Sequence, residues 1–152
     1  MKQILVSIML VLLVNSACAK EIMDREAVIE FNRLPQTAQK FLNDNFPDGG
    51  ILSIVMDNEV LERDYSVYYQ DGTEVKFNGK GEWESVENES SYVPDSVVPE
   101  AILKMIRSKH PDKVVTNISR DLTGRDKGYD VELSNIMEMK FDMEGRFIRY
   151  DD

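Results

Sequence analysis

His110 is the one histidine of the chain. A general base must be held against the proton it takes. His110 instead sits just before Pro111, at the end of an apolar helical pattern, and a single imidazole cannot build a multi-histidine metal site. Its reading is structural. The one cysteine, Cys18, lies in an apolar leader, so a nucleophile–base–orienter arrangement has no thiol and one badly placed base. The chain has no Gly-rich phosphate loop and no His-Glu-x-x-His stretch. Carboxylates abound, so a hydrolase with paired carboxylates is the enzymatic class left open. Abundance alone is not a site, and the reading is that the protein is not an enzyme.

Two turns put acidic oxygens close together: Asp71-Gly72-Thr73-Glu74 and Asp142-Met143-Glu144-Gly145. A hard cation needs six to eight converging oxygens, and neither turn has the spacing of a twelve-residue calcium loop. Asp and Gly are also the ordinary residues of hairpin turns. Calcium stays open as a ligand; no other cofactor and no metal-ligating residue is assigned. The formal net charge is −10, from 28 acidic and 18 basic residues. That balance disfavours nucleic acid, which needs Lys and Arg clusters, and an anionic membrane surface. It suits solubility, and it permits a basic protein partner.

The N-terminus reads as an export signal over residues 1–19. Lys2 is the basic end, residues 4–14 are almost wholly apolar, and Ala17-Cys18-Ala19 offers a small-x-small cleavage site. The apolar run is too short to span a bilayer comfortably. A competing reading cuts before Cys18 and anchors the chain as a lipoprotein. Either way the protein is periplasmic or secreted, and its folded part has no disulfide and must rely on a packed core.

The positioning elements follow from self-similarity at a constant offset of 64 residues. Phe46-Pro47-Asp48 matches His110-Pro111-Asp112. Tyr65-Ser66-Val67 matches Tyr129-Asp130-Val131. Glu74-Val75-Lys76-Phe77 matches Glu138-Met139-Lys140-Phe141, and Gly81-Glu82-Trp83 matches Gly145-Arg146-Phe147. Residues 34–88 align with 98–152 without a gap, and 89–97 form a Ser- and Pro-bearing connection. The mature chain therefore reads as a first repeat (20–88) followed by the linker and a second repeat (89–152), together one structural domain.

Each repeat opens with a helix. Pro35 and Pro99 sit in the first turn, where a missing N–H costs nothing. Ala38, Phe41, Leu42 and Phe46 share one face, as do Ile102, Met105, Ile106 and His110. Pro47 and Pro111 stop the helices. Strands follow near residues 51–56 and 114–119, then as alternating hairpins, and residues 27–31 could add an edge strand. Tyr65, Val67, Val75, Phe77 and their repeat partners belong to the core by alternation. The fold class is α+β: two tandem helix-plus-antiparallel-strand repeats forming one sheet of about eight strands, with the helices on one face.

Alternation turns Ser66, Tyr68, Glu74 and Lys76 outward in the first repeat, and Asp130, Glu132, Glu138 and Lys140 in the second. This polar face is the candidate binding surface. Tyr68, an aromatic among polar neighbours, suits an interface anchor. The plain alternative is cross-strand salt pairing of Glu74 with Lys76 and of Glu138 with Lys140 on a solvated face.

Leu34-Pro35, the Phe46-Pro47 helix end, Tyr65-x-Val67, Asp71-Gly72, Glu74-Val-Lys-Phe77 and Gly81-x-Trp83 together resemble the PepSY-like family, exported two-repeat proteins of Bacteroidetes-type bacteria. The resemblance runs from about Val28 to Asp152. It implies a fold like that of the beta-lactamase inhibitor protein, a sheet surface that grips a protein, and a link to peptidase control. Some relatives are discussed as calcium-responsive. The expected function is thus an exported binding or inhibitor-like module, with a calcium-responsive protein and a carboxylate hydrolase as alternatives. Oligomeric state is left open.

Overall fold

The computed structural model describes residues 26–58, 63–123 and 127–151. Residues 1–19, read above as an export signal and including Cys18, lie outside the described residues. Two α-helices, α1 (Gln36–Asn45) and α2 (Glu100–Lys109), accompany nine strands. The strands are β1 (Glu26–Val28), β2 (Ile51–Asn58), β3 (Arg63–Tyr69), β4 (Glu74–Phe77) and β5 (Trp83–Glu87), then β6 (Val115–Asp121), β7 (Gly128–Leu133), β8 (Glu138–Asp142) and β9 (Phe147–Asp151). They form one sheet in strict chain order, every neighbour antiparallel. No helix among the described residues is long and apolar enough to cross a membrane.

Residues 64 apart take matching places. The residues that open the two helices, Pro35 and Pro99, have φ/ψ of −54°/144° and −53°/139°. The closing residues Phe46 and His110 have −132°/56° and −136°/58°. Asn78 and Asp142 each fold their turn with one side-chain oxygen, which accepts the N–H two and four residues on at 2.8–3.1 Å. Gly81 and Gly145 close those turns at φ of 79° and 77°, where a β-carbon is disfavoured. At Gly81 space forbids one as well, since a Cβ would lie 2.6 Å from Pro35 Cβ.

The alternation has the consequence expected of it. Val67, Val75, Phe77 and Val86 are fully buried on the helix side of the sheet, together with Ile118, Val131, Met139 and Phe141. Ala38 and Leu42 of α1 and Ile102 and Ile106 of α2 close the same core. The halves meet where β5 pairs with β6, through Ser85↔Ser119, Val86↔Ile118 and Glu87↔Asn117. One core thus runs beneath both helices. A unit of about 60 residues is marginal alone because too little of its surface is buried; the shared sheet removes that handicap.

Three details differ from, or add to, the sequence reading. The edge strand forms over Glu26–Val28 and gives way to a 3-10 turn at Phe31–Arg33, so it is shorter than 27–31. The 89–97 connection is packed rather than loose: Val93 and Val97 are buried, and the Val93 N–H donates to the Val115 carbonyl at 2.8 Å. Tyr129 is only partly buried, with its ring centroid 6.4 Å from that of Trp83. Trp83 faces inward, its ring centroid 5.7 Å from that of Phe41 and the Arg120 guanidinium 4.2 Å above it.

Candidate functional site

The face of the sheet opposite the helices carries all eight residues that alternation turns outward. Antiparallel register arranges them in two rows that run from β3 to β9. One runs Ser66, Lys76, Ser85, Ser119, Asp130, Lys140 and Arg149. The other runs Tyr68, Glu74, Glu87, Asn117, Glu132, Glu138 and Asp151. The β5–β6 ladder joins the two quartets, Lys76 and Glu74 leading through β5 and β6 to Asp130 and Glu132.

The second row places like charges directly opposite one another: Glu74↔Glu87, Glu132↔Glu138 and Glu138↔Asp151. Side chains so placed have Cβ atoms about 5 Å apart and repel when both are charged. Lys76 relieves one end, with Nζ 3.4 Å from Glu74 Oε1. Arg149 relieves the other, with Nε 2.5 Å from Asp151 Oδ1. Glu87, Glu132 and Glu138 have no ion pair among the described residues. The expected pairing of Lys140 with Glu138 does not form. Lys140 instead donates to both carboxylate oxygens of Asp130, at 2.9 and 3.2 Å. Register explains this: Asp130 lies directly across from Lys140, whereas Glu138 is two residues away on the same strand.

Lys140 is also only 7% exposed, on a face that carries neither helix. A depression of about 220 Å³ beside it is lined by Asn117, Ser119, Asp130, Glu132, Glu138 and Asp151. A second, of about 230 Å³, continues past Glu87, Glu89 and Ser134. Tyr68 and Ser66 stand at the other end, beside Val55, Asp57 and Lys76.

The acidic turns are already engaged. Asp71 Oδ1 accepts the Thr73 N–H at 2.9 Å. Asp142 accepts the Arg146 and Glu144 N–H groups and the Arg146 side chain, and the Arg146 N–H holds its carboxyl below the ordinary value. Among the described residues no three His, Cys, Asp or Glu side chains are grouped to hold a metal ion. His110 ends α2 and its Nε2 lies 3.2 Å from the Tyr150 hydroxyl, a helix-to-sheet contact.

Residues 63–149 match a family model described as "Putative beta-lactamase-inhibitor-like, PepSY-like". The chain belongs to the PepSY-like family. Two solved structures resemble it over almost their full length. A "putative periplasmic protein from DUF2874 family" of Bacteroides vulgatus is 37% identical, with a TM-score of 0.75, covering 85% of this chain and 98% of its own. A "putative calcium-regulated periplasmic protein" of Bacteroides thetaiotaomicron is 35% identical, with a TM-score of 0.77, covering 84% and 97%. No curated protein matches the chain.

Sequence reasoning missed Glu87, Asn117 and Asp151. Glu87 follows the buried Val86 and so faces outward, but its place in the acidic row depends on how β5 meets β6, a pairing between units that no local pattern encodes. The unpaired carboxylates predict that Glu138→Gln raises stability by about 0.5 kcal/mol at low salt, by removing two like-charge contacts. Urea unfolding in low salt and in 1 M salt checks this: the gain should shrink with screening, and a loss of stability at low salt would contradict the row's repulsion.

Proposed function

We propose that the protein is an exported, non-catalytic binding module that holds a cationic segment of another protein on the hollow polar face of its sheet. One observation carries this reading: Glu132 and Glu138 line one depression and Glu87 and Glu132 the next, all three without an ion pair among the described residues, while Glu74, Asp130 and Asp151 of the same face are ion-paired. A row of like charges costs stability in the free protein, and a partner's Lys or Arg side chains would recover that cost on binding. The family's inhibitor-like description and the periplasmic descriptions of two relatives agree with a protein-binding role outside the cytoplasm. Export through the 1–19 signal, with release after Ala19 or anchoring at Cys18, is part of the same proposal. Tyr68, at the end of the acidic row, is the aromatic anchor.

A calcium-responsive protein is the second reading, favoured by the description of the Bacteroides thetaiotaomicron relative. Calcium that binds the folded state would raise the melting temperature, and chelator would reverse the rise; a melt insensitive to both rejects this reading.

The main reading is tested by immobilising the protein and capturing partners from native envelope extract. A one-to-one complex should form, weaken with salt, and be lost when Glu132 and Glu138 are both changed to Lys. Tyr68→Ala should weaken it by about tenfold or more, as for an interface anchor. Capture unchanged by all three substitutions rejects this face.

A further inference from the structure

One position in the sheet lacks what its counterpart has. β5 is covered along its far side by β6, whereas β9, the equivalent strand 64 residues on, ends the sheet among the described residues. Val86 is fully buried, but Tyr150 in its place is 47% exposed. Trp83 is stacked on Phe41 and capped by Arg120, whose Nε also donates to the Trp83 carbonyl at 2.8 Å. Phe147 stands where Trp83 would be and is 37% exposed. Ile148, 47% exposed, replaces Glu84.

Sheet edges that must stay solitary are kept short, charged or bulged. The β1 edge, Glu26–Val28 among the described residues, carries a charge at Glu26 and exposes Val28. The β9 edge is a five-residue strand with three exposed apolar side chains. We propose that the β9 edge takes an extended strand from a partner protein, running antiparallel along β9 as β6 runs along β5.

The β5–β6 join supplies the chemistry of that strand. An apolar residue should lie beside Tyr150, as Ile118 lies beside Val86. Small polar residues should flank it, as Asn117 and Ser119 do. A cationic residue two positions further on should rest over Phe147 and donate to its carbonyl, as Arg120 does at Trp83. A second copy of the chain does not supply the strand. Its equivalent of β6 is β2, which is already paired with β1 through Val55, Met56 and Asp57 and carries Met56 where the cation is needed. This edge is separate from the polar face, and the inference stands without the function proposed above.

The experiment uses the protein labelled with ¹⁵N and, as the probe, a capped peptide with the sequence of β6, Val-Thr-Asn-Ile-Ser-Arg-Asp. Amide shifts should move along Phe147–Asp151 and in β8, with half-saturation near about 1 mM for so short a strand. Replacing the peptide's Arg by Glu should weaken binding about fivefold or more. Ile148→Glu, which restores the first unit's residue, should keep the melting temperature and tighten binding of the Arg peptide but not of the Arg-to-Glu peptide, since Glu84 attracts Arg120 in the join. If Ile148→Glu fails to fold, the Arg-to-Glu peptide still decides the matter. Absence of shifts at several times that concentration, shifts confined to β5, equal binding of the two peptides, or a self-associated dimer joined through β9 would each overturn the proposal.

Discussion

The ladder between β5 and β6 is the constraint on which the rest of this molecule depends. Its residue pairs, Ser85↔Ser119, Val86↔Ile118 and Glu87↔Asn117, convert two units too small to be comfortable alone into one sheet with one core. The ladder also fixes parity. Because side chains alternate with a period of two, a slip of one residue there would turn the whole second half inside out. With the observed register, Val86 and Ile118 continue a single apolar layer under α1 and α2, while Glu87 and Asn117 continue a single polar row above it.

The two faces therefore have opposite energetics. Beneath the helices the protein gains from burial at roughly 25 cal/mol per Å² of apolar surface removed from water. Phe77 and Phe141, 64 residues apart, fill the same position in each half. On the open face, the same register aligns Glu74, Glu87, Glu132, Glu138 and Asp151, and the protein bears the repulsion. Lys140, buried between strands and held by Asp130, partly offsets it by putting a positive charge beneath the hollow. A surface kept for solubility alone would intersperse its charges; here a single sign is concentrated in a concavity.

Much of this was legible in the residues. Pro35 and Pro99 opened the helices and Pro47 and Pro111 stopped them, because proline's missing N–H is harmless at a helix start and fatal beyond its end. Alternation about Val67, Val75, Val131 and Met139 assigned the core face, and Ser66, Tyr68, Glu74 and Lys76 with Asp130, Glu132, Glu138 and Lys140 the other. What local pattern could not carry was pairing between units. The facing of Trp83, the like-charge contact of Glu74 with Glu87, and the choice of Asp130 rather than Glu138 as partner of Lys140 are all set by cross-strand register. The packing of Val93 and Val97 was likewise hidden, since a Ser- and Pro-bearing stretch reads as a connection whether or not its valines find a cavity.

Residue-resolved hydrogen exchange in the native state tests the shared core most directly. The amides of Val67 in β3 and Val131 in β7 should open with the same free energy, that of global unfolding. Val86→Ala, which hollows the join, should lower both by the same amount, about 2 kcal/mol. A lower opening free energy at one of the two sites, or a loss confined to the half containing residue 86, would contradict a single core.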